Sequence, residues 1–472
     1  MKLILSFLIL SSCATTAQQK LIQVTDQTNP KELRQIESSM KETLKLSIDS
    51  RGLAQAADRM DGSDQDPTHY DAVWVRDSLW IYLALSVSED PKEQGAAKKM
   101  ILALSDYFSS DDQWKRMNAV IQNPKIIQIA EKGKMNVIHI RFDRKSPTFQ
   151  DVQEKGGAQL WNHKQNDALG LFLDLFCRAI LDHKILTSDL TPQRLKTIGL
   201  FPKYFKAIQY ELMEDAGSWE ELERVNTSST ALVVSGLERL LEVQKNTPLS
   251  IKVSEVKELI KKGYQRIRKQ IELGGESPDY PKNDPRYRTS DAALLNLIYP
   301  AKLAELTQSD YIKVLSALDP LIGEVGIKRY IGDSYQSGNF WINQGTTEDS
   351  SSSESFSNRG KKFIEGSEAQ WFFDSWYSLA MGSLNQKFKD SKYAVKQLLF
   401  LNRALKQITS GTSTNPVMGA DGHPVPSHAL PESYNTLVNL KTGARTYAPS
   451  PITPLNWAKA SMRLALDQMR AR

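Results

Sequence analysis

The sequence predicts an all-α fold, an α/α barrel in which apolar inner helices are wrapped by amphipathic outer ones. No stretch of the 472 residues sustains the alternation of apolar and polar residues typical of half-buried strands. Some stretches, such as "SEVKELIKKGYQRIRKQIEL", place apolar residues from Val256 to Ile271 at helical spacing opposite Lys, Arg and Gln. Others, such as "DALGLFLDLFCRAIL", are apolar nearly all round and must be buried on most sides. Interleaving of the two kinds predicts two concentric layers.

Composition supports one large globular unit. The chain is 40% hydrophobic and 24% charged, which is enough apolar material for a large core. A formal net charge of +5 is small for this length, so we expect no nucleic-acid partner, and basic pairs such as Lys261–Lys262 are interpreted as solvated helix faces. The low-complexity stretch "TTEDSSSSESFSNRGKK" (346–362) is expected to be a surface loop. We therefore predict a single domain over 29–472 and a monomer.

The first residues have the form of a secretion signal. A positive start at Met1–Lys2 precedes the short apolar stretch Leu3–Leu10, which is too short to span a bilayer. "LSSC", ending at Cys13, then resembles the bacterial lipobox, which implies a signal peptide over 1–12, a lipidated Cys13 and a linker over 13–28. The prediction is a cell-envelope protein held to a membrane by its lipid, on the outer membrane or periplasmic face of a Gram-negative cell. A plain signal with a chance cysteine is the alternative.

Five polar, aromatic-rich stretches lie between the predicted helices and carry the chemistry. They are "HYDAVWVRDSLW", "LWNHKQNDALG", "SWEELERVNTSS", "IKRYIGDSYQSGNFW" and "LPESYNTLVNLKTGARTYAPSPITPLNW". Aromatic faces stack on sugar rings, while Asp, Glu and Arg hydrogen-bond hydroxyl groups. Cleavage of a glycosidic bond needs two carboxyl groups on opposite sides of that bond. Glu220 and Glu221 can supply one of them, and the second should come from a different loop.

The motifs "WVRDS", "QNDAL", "WEELERVNTSS", "KRYIGDSY" and "PES", with "PLNW" after it, stand in the order found in glucoamylases, glycoside hydrolase family fifteen. The sequence is also similar to the amino-terminal domain of the phosphorylase kinase α/β subunits. "AVWVRDSLW", "HKQNDALGLFL" and "EAQWFFDSW" resemble that branch and its bacterial relatives more closely. The resemblance begins near His69 and covers roughly four-fifths of the chain.

The resemblance implies an (α/α)6 barrel with an active-site pit, and exo-acting hydrolysis of an α-linked glucan or oligosaccharide with inversion. Glu220 matches the general acid and Glu432 the general base, and inversion requires carboxyl groups about 6.5–9.5 Å apart. Trp219 is expected to supply an apolar wall that raises the pKa of the acid. No cofactor or metal is expected. The implied substrate-binding residues are Arg76, Asp77, Trp161, Asp167, Trp219, Glu221, Arg329, Asp333 and Trp341.

The sequence departs from glucoamylases at two places, and other interpretations stay open. Trp161–Lys164 replaces a usual Gly-Arg-Pro start, and Pro431-Glu432-Ser433 replaces Ser-Glu-Gln. Taken singly, Arg76–Asp77 could be a helix cap with an ion pair, and Glu220 and Glu221 a solvated first helical turn. The runner-up function is a non-catalytic saccharide-binding or regulatory protein related to the kinase subunits. A third is a hydrolase acting on another linkage.

Overall fold

The computed structural model describes residues 23–58, 69–154, 156–338, 353–412 and 414–472. The predicted lipidation site Cys13 and the predicted ligand contact Trp341 lie outside these ranges. Helices dominate the described chain, and their bounds are α1 (Pro30–Ser39), α2 (Val75–Ser86), α3 (Pro91–Phe108), α4 (Asp111–Gln122), α5 (Ala130–Gly133), α6 (Asn166–Leu181), α7 (Pro192–Ile208), α8 (Thr227–Gln244), α9 (Val253–Leu273), α10 (Gln308–Leu318), α11 (Ser353–Lys361), α12 (Asp374–Phe388), α13 (Ser391–Leu405) and α14 (Asn456–Arg470).

Short strands connect the helices at the ends of the barrel. Their bounds are β1 (Val73–Trp74), β2 (Arg141–Phe142), β3 (Gln153–Glu154), β4 (Gly157–Ala158), β5 (Gln370–Trp371), β6 (Val417–Met418), β7 (Pro424–Val425), β8 (Ser433–Val438) and β9 (Arg445–Pro449). All pairings among these strands are antiparallel: β1 with β2, β3 with β4, β6 with β7, and a three-stranded sheet in the order β5-β8-β9.

Six elements of the described chain form a closed inner ring. In order, α2 packs on α6, α6 on α8, α8 on a 3₁₀ segment at Ala292–Leu297, that segment on α12, α12 on α14, and α14 back on α2. Outer helices pack against this ring: α3 on α2, α9 on α8, α10 on the 3₁₀ segment, α13 on α12, and α1 on α14. The predicted (α/α)6 barrel is confirmed.

Burial follows the two kinds of helix predicted from the sequence. Every residue of α2 is buried, and so is every residue of α8 from Thr227 to Leu237. Helix α9 buries only one stripe, which includes the predicted positions from Val256 to Ile271. An apolar face has to be covered on each side it presents, so the all-apolar helices occupy the inner ring and the amphipathic ones the outer layer.

Two glycines set the close packing of α6 against α8. A Cβ at Gly170 would lie 2.4 Å from the backbone nitrogen of Val233, and one at Gly236 would lie 2.8 Å from the carbonyl oxygen of Gly170. Real carbon atoms do not approach that closely, so only glycine permits this crossing. The contact matters for the site because the loops before both helices carry predicted functional residues.

Two sequence predictions about loops are wrong in part. The stretch 346–362 was expected to be a loop, but Ser353–Lys361 forms α11. Its serine, asparagine and glycine residues have low helix propensity, which is a weak preference, and the segment nevertheless forms a helix with Arg359 buried. The segment before α14 holds the β8–β9 hairpin. Strand β8 also pairs with β5, so it is covered on both edges and shows no clean alternation.

The amino-terminal end of the described chain is attached to the barrel. Asn29 caps α1, accepting from the backbone N–H groups of Lys31 and Glu32 at 2.9 and 3.0 Å. Further upstream, Val24 exchanges two hydrogen bonds with the Asn402 side chain of α13 and is buried. The predicted division at residue 28 stays a prediction. Within the described ranges, no helix has both the length and the hydropathy needed to cross a membrane.

Candidate active site

The loop before α8 holds Glu220 in an unusual backbone conformation. Gly217–Trp219 form a single 3₁₀ turn, and Glu220 follows at φ 58° and ψ 42°, in the left-handed region. That conformation is uncommon for a residue with a side chain and persists only when surrounding contacts enforce it. Helix α8 begins seven residues later, at Thr227. Since Glu220 is 9% and Glu221 1% exposed, the alternative of a solvated first helical turn is wrong.

Asp215 attaches this loop to two inner helices. Its carboxylate accepts from the backbone N–H of Asn166 at 2.8 Å, from Nδ2 of Asn226 at 2.7 Å and from Oγ of Ser229 at 2.8 Å. These three groups belong to the starts of α6 and α8, so one buried side chain joins both helices to the loop. Burial, with the nearby charge of Asp167, raises the pKa of Asp215 to about 7.

Arg76 binds three parts of the loop region at once. Its Nε donates to Oδ2 of Asp167 at 2.6 Å, its Nη1 to Oε1 of Glu220 at 3.1 Å, and its Nη2 to the carbonyl oxygen of Gly217 at 3.2 Å. Arg76 and Asp77 do lie in the first turn of α2, and Asp167 lies in the first turn of α6. The arginine is nevertheless buried and joins two inner helices to the Glu220 loop, which is more than a helix cap.

An arginine missed by the sequence analysis lies beside the predicted Trp161. Arg141, on β2, places its guanidinium carbon 4.2 Å from the ring centroid of Trp161 and 4.8 Å from that of Trp74. The two indole rings meet edge to face at 5.4 Å. Cation–π contacts of this kind help to hold a buried guanidinium in place. The charge of Arg141 also acts to lower the pKa of Glu220.

Glu221 lies in a separate cluster that is rich in arginine. Its Oε1 accepts from Nη2 of Arg329 at 2.8 Å, and its Oε2 accepts from Oη of Tyr330 at 2.6 Å. Arg288 approaches Oε2 at 3.8 Å, and Arg359 approaches Oε1 at 3.5 Å. The predicted pair of Arg329 and Asp333 is present as well. Asp333 accepts two hydrogen bonds from Arg329, both at 2.7 Å.

The Trp219 side chain packs against the cluster around Glu221. Its Nε1 donates to Oδ1 of Asp291 at 2.8 Å, and its ring lies 5.2 Å from that of Phe373. The guanidinium carbon of Arg329 is 5.6 Å from the indole centroid. Asp291 in turn pairs with Arg288 at 3.0 Å. The indole is therefore fixed at its polar end as well as by packing; its predicted effect on the pKa of Glu220 stays a prediction.

Glu432 immediately precedes β8 and accepts two hydrogen bonds from uncharged donors. Tyr70 Oη donates to Oε1 at 2.8 Å, and Gln336 Nε2 donates to Oε2. Ser433 Oγ donates to the Gln336 side-chain oxygen and fixes the orientation of that amide. Gln336 has φ 58°, a second left-handed residue in this region. Glu432 is thus oriented by groups from distant parts of the chain.

Three carboxyl groups lie within each other's electrostatic reach. Burial raises the pKa of Glu220 to about 7, against the lowering effect of Arg76. Burial also raises the pKa of Glu432 to about 7, and the hydrogen bonds from Tyr70 and Gln336 only partly offset it. The pKa of Asp77 rises to about 8 because of burial, although Arg76 lowers it, and the charges of Glu220 and Glu432 add to the rise. All three can exchange protons near neutral pH.

The structure brings most of the predicted site residues into one connected region. Hydrogen bonds, ring contacts or charge effects link this set: Arg76, Asp77, Trp161, Asp167, Trp219, Glu220, Glu221, Arg329, Asp333 and Glu432. Their roles, and the separation of Glu220 and Glu432, stay predictions. Within the described ranges, no group of three or more His, Cys, Asp and Glu side chains is arranged to hold a metal ion.

Several contributing residues were not predicted, and Tyr70, Gln336, Arg141 and Arg359 are among them. Tyr70 and Gln336 stand inside aromatic-rich stretches that the sequence analysis had selected, so their position was a usable signal. Arg141 follows a stretch without a motif. Arg359 lies in the low-complexity segment, where composition argued for a loop and against any role.

Sequence comparison finds two relatives in Escherichia coli (strain K12). The chain is 51% identical over 150 residues to a protein described as uncharacterized lipoprotein YgeQ, a match that covers 32% of this chain and 56% of YgeQ. It is 40% identical over 87 residues to putative protein YgeP, covering 18% of this chain and 87% of YgeP. The chain belongs to the family of YgeP. The match spans little more than half of YgeQ. No family model matches the chain.

Solved structures with the same fold are glycosidases and glucoamylases. A glycosidase aligns over 93% of this chain and 95% of its own at TM-score 0.57 and 14% identity. The glucoamylase of Saccharomycopsis fibuligera aligns over 97% and 98% at TM-score 0.55 and 14% identity. A bacterial glucoamylase complexed with acarbose aligns over 89% and 53% at TM-score 0.50 and 17% identity. At these identities the likeness concerns the fold.

Proposed function

We propose that the protein is an exo-acting, inverting glycoside hydrolase that cleaves an α-linked glucan or oligosaccharide. One observation carries the proposal. Glu220 and Glu432 come from loops far apart in sequence, act on each other electrostatically, and each have a pKa raised to about 7. Two carboxyl groups that can hold or release a proton at neutral pH are what an inverting hydrolase needs.

In the proposed reaction, Glu220 protonates the glycosidic oxygen while Glu432 takes a proton from the attacking water. The bond from the sugar to that oxygen breaks as the water oxygen bonds to the anomeric carbon from the opposite face. Tyr70 and Gln336 orient the Glu432 carboxylate, and Arg76 holds the Glu220 side chain until the substrate enters. Asp77 and Arg329 are proposed to bind sugar hydroxyl groups.

Equal pKa values do not prevent the two carboxyl groups from having different roles. Because each group acts on the other, the pair loses its protons in two steps, and one proton is shared at intermediate pH. Glu432 accepts from two uncharged donors, which stabilises its ionised form without adding a cation. Substrate binding would displace Arg76 from Glu220, whose proton would then face the glycosidic oxygen. Glu220 would then act as the acid and Glu432 as the base.

The relatives support the class of substrate and the cellular location. Structures with this fold are described as glycosidases and glucoamylases, which supports a saccharide substrate. YgeQ is described as a lipoprotein, which supports lipidation at Cys13 and a place in the cell envelope. Mass spectrometry of protein extracted from membranes should find an acylated Cys13 as the first residue. An unmodified chain that starts elsewhere contradicts the anchor.

A non-catalytic saccharide-binding or regulatory role is the second candidate, as in the kinase subunits that the sequence resembles. The ion pair between Arg76 and Glu220 favours it, because an arginine bound to the proposed acid stabilises the ionised form of that acid. Hydrolysis requires that this pair opens when a sugar enters. A protein that only binds sugars has no such requirement.

A panel of α- and β-linked disaccharides, followed by NMR, tests the proposed function. Inverting cleavage of an α-linkage releases the β-anomer first, before mutarotation. We expect that signal from at least one α-linked disaccharide and none from the β-linked ones. First release of the α-anomer contradicts inversion. Binding of oligosaccharide by calorimetry without any cleavage supports the second candidate.

A further inference from the structure

Several arginines surround Glu221. Among the described residues, Arg288, Arg329 and Arg359 approach its carboxylate, and the charge of Arg224 acts on it as well. The carboxylates of Glu221, Asp291 and Asp333 already accept strong hydrogen bonds from other members. A buried guanidinium with unused donors is costly, and proteins accept that cost where a ligand supplies the acceptor.

Arg359 is the member with the weakest attachments. Arg359 is 1% exposed. The only hydrogen bond of its side chain within the described chain is the 3.5 Å contact from Nη2 to Oε1 of Glu221. Its Nε and Nη1 have no partner among the described residues. Glu221 Oε1 already accepts from Arg329 at 2.8 Å. Two donors, on different edges of a buried guanidinium, are therefore unused by the described residues.

Arg359 also lies beside the proposed catalytic region. Its guanidinium carbon is 5.4 Å from the ring centroid of Tyr335. Tyr335 lies next to Glu432, whose charge helps to raise the pKa of that phenol, and it shares hydrogen bonds with Tyr70 and Gln336. A single residue, Tyr335, therefore separates Arg359 from the proposed base, so a sugar that reaches Glu432 comes into the neighbourhood of Arg359.

We propose that Arg359 binds an anionic substituent of the sugar, so that the substrate is an acidic saccharide. Along either edge of the guanidinium fork, one of these free donors and the second N–H of Nη2 can reach two oxygens of a carboxylate, sulfate or phosphate. The proposal rests on the proposed saccharide site and narrows its substrate class. Arg359 is then a specificity-determining residue, and hydrolysis of neutral sugars does not depend on it.

Binding measurements test this without requiring turnover. Isothermal titration calorimetry compares methyl glucoside with glucuronate, a glucose sulfate and a glucose phosphate, which distinguishes the three anions. We expect at least one acidic sugar to bind at least about tenfold more tightly than methyl glucoside, the size of one charge-assisted hydrogen bond. Arg359→Met should abolish that preference and leave the affinity for methyl glucoside within about twofold. Arg359→Lys, which keeps the charge and loses the fork, should retain part of it.

Arg224→Met is the matched control. Arg224 is also buried, and its Nε and Nη2 lack partners among the described residues, but the charge that acts on it most strongly is that of Arg288, which faces the other oxygen of Glu221. The control should keep the preference. If both variants lose the preference for the acidic sugar equally, the effect comes from the total charge of the cluster, and the proposed role of Arg359 is overturned.

Two further results separate this inference from the proposed function. Equal binding of acidic and neutral sugars by the wild type overturns the inference, even where neutral sugars are hydrolysed. A preference for acidic sugars without hydrolysis of any sugar contradicts the hydrolase and leaves the inference standing. If Arg359→Met does not fold, a competition experiment on the wild type still tests the inference. Inorganic sulfate should compete with the acidic sugar for binding and should not compete with methyl glucoside, and any other result overturns the inference.

Discussion

Glu220 and Glu221 are neighbours in the sequence and both buried, yet their pKa values shift in opposite directions. Burial raises the pKa of Glu220 to about 7, and Arg76 only partly opposes it. Burial acts on Glu221 in the same direction, but Arg329, Arg359 and Arg288 outweigh it and lower the pKa to about 2. The two residues are adjacent in the chain, but Glu220 contacts the Arg76 side chain and Glu221 contacts several other arginines.

The difference shows that the ratio of cations to carboxylates decides the charge of each glutamate. Arg76 is shared between Glu220 and Asp167, so it neutralises neither completely. Glu221 faces several guanidinium groups and is kept ionised. A group that reacts by giving up a proton must hold one at working pH, whereas a group that holds cations must not. In our account, Glu220 is therefore the reactive residue and Glu221 the structural anion.

The largest expected effect concerns Glu432, which shares the raised pKa of Glu220. Glu432→Gln removes the base that activates water, so the rate should fall by about 10²–10⁴-fold on natural and activated substrates alike. Steady-state rates on a disaccharide and on an aryl glycoside measure this. A rate that stays within about threefold of wild type on both would remove Glu432 from the reaction.

Substitution of Glu221 and of Glu220 should have different effects on the free energy of unfolding. Glu221→Gln leaves Arg329 and Arg288 with one carboxylate fewer in a buried cluster, and removal of one partner from such a group costs about 3–5 kcal/mol. Glu220→Gln should instead raise the unfolding free energy near pH 7, by up to about 3 kcal/mol, since it removes a carboxylate whose ionisation burial opposes. Urea unfolding of both variants checks this, and equal losses would contradict the comparison.

Glu220 and Glu221 should also contribute to the pH dependence of the unfolding free energy with opposite signs. The folded pKa of Glu220 lies above its ordinary value of 4.5, so its contribution to stability is present at low pH and is lost as pH rises from about 4.5 to about 7. The loss is of the order of 3 kcal/mol. Glu221, with its lowered pKa, contributes stability above about pH 4.5 that is lost as pH falls towards about 2.

Urea titrations at pH 5 and pH 8 measure the Glu220 contribution. The decrease in unfolding free energy between these two pH values should be smaller in Glu220→Gln than in the wild type. Glu221→Gln is the matched control and should keep the wild-type decrease, because Glu221 is ionised at both pH values. An unchanged decrease in Glu220→Gln would show that its pKa is not raised.

The smallest predicted effect concerns Tyr70. Tyr70→Phe removes one hydrogen bond to Glu432 and keeps the ring, so the rate should fall by about tenfold, the value of one neutral hydrogen bond. The pH of half-maximal rate on the acidic side should rise, because the lost donor had favoured the ionised carboxylate. A rate equal to that of Glu432→Gln would mean that Tyr70 has a larger role than orientation.

The fold and most of the site region could be predicted from local sequence. Helical spacing distinguished inner from outer helices, and the aromatic-rich stretches marked the loops that carry Arg76, Glu220 and Glu432. Spacing could not reveal pairs such as Tyr70 and Glu432, which are 362 positions apart and meet only through tertiary structure. Arg359 was missed for another reason. Its segment has low helix propensity and low complexity, so local sequence did not indicate that it forms α11.

The leaving-group dependence of Glu220→Gln tests the central claim most directly. The variant keeps the shape of the side chain and removes its proton, with Glu221→Gln as the matched control. We expect Glu220→Gln to slow cleavage of a disaccharide by about 10²–10⁴-fold and that of an activated aryl glycoside far less, since a good leaving group needs little protonation. Equal slowing of both substrates, or the same ratio in Glu221→Gln, would contradict the assignment of Glu220 as the acid.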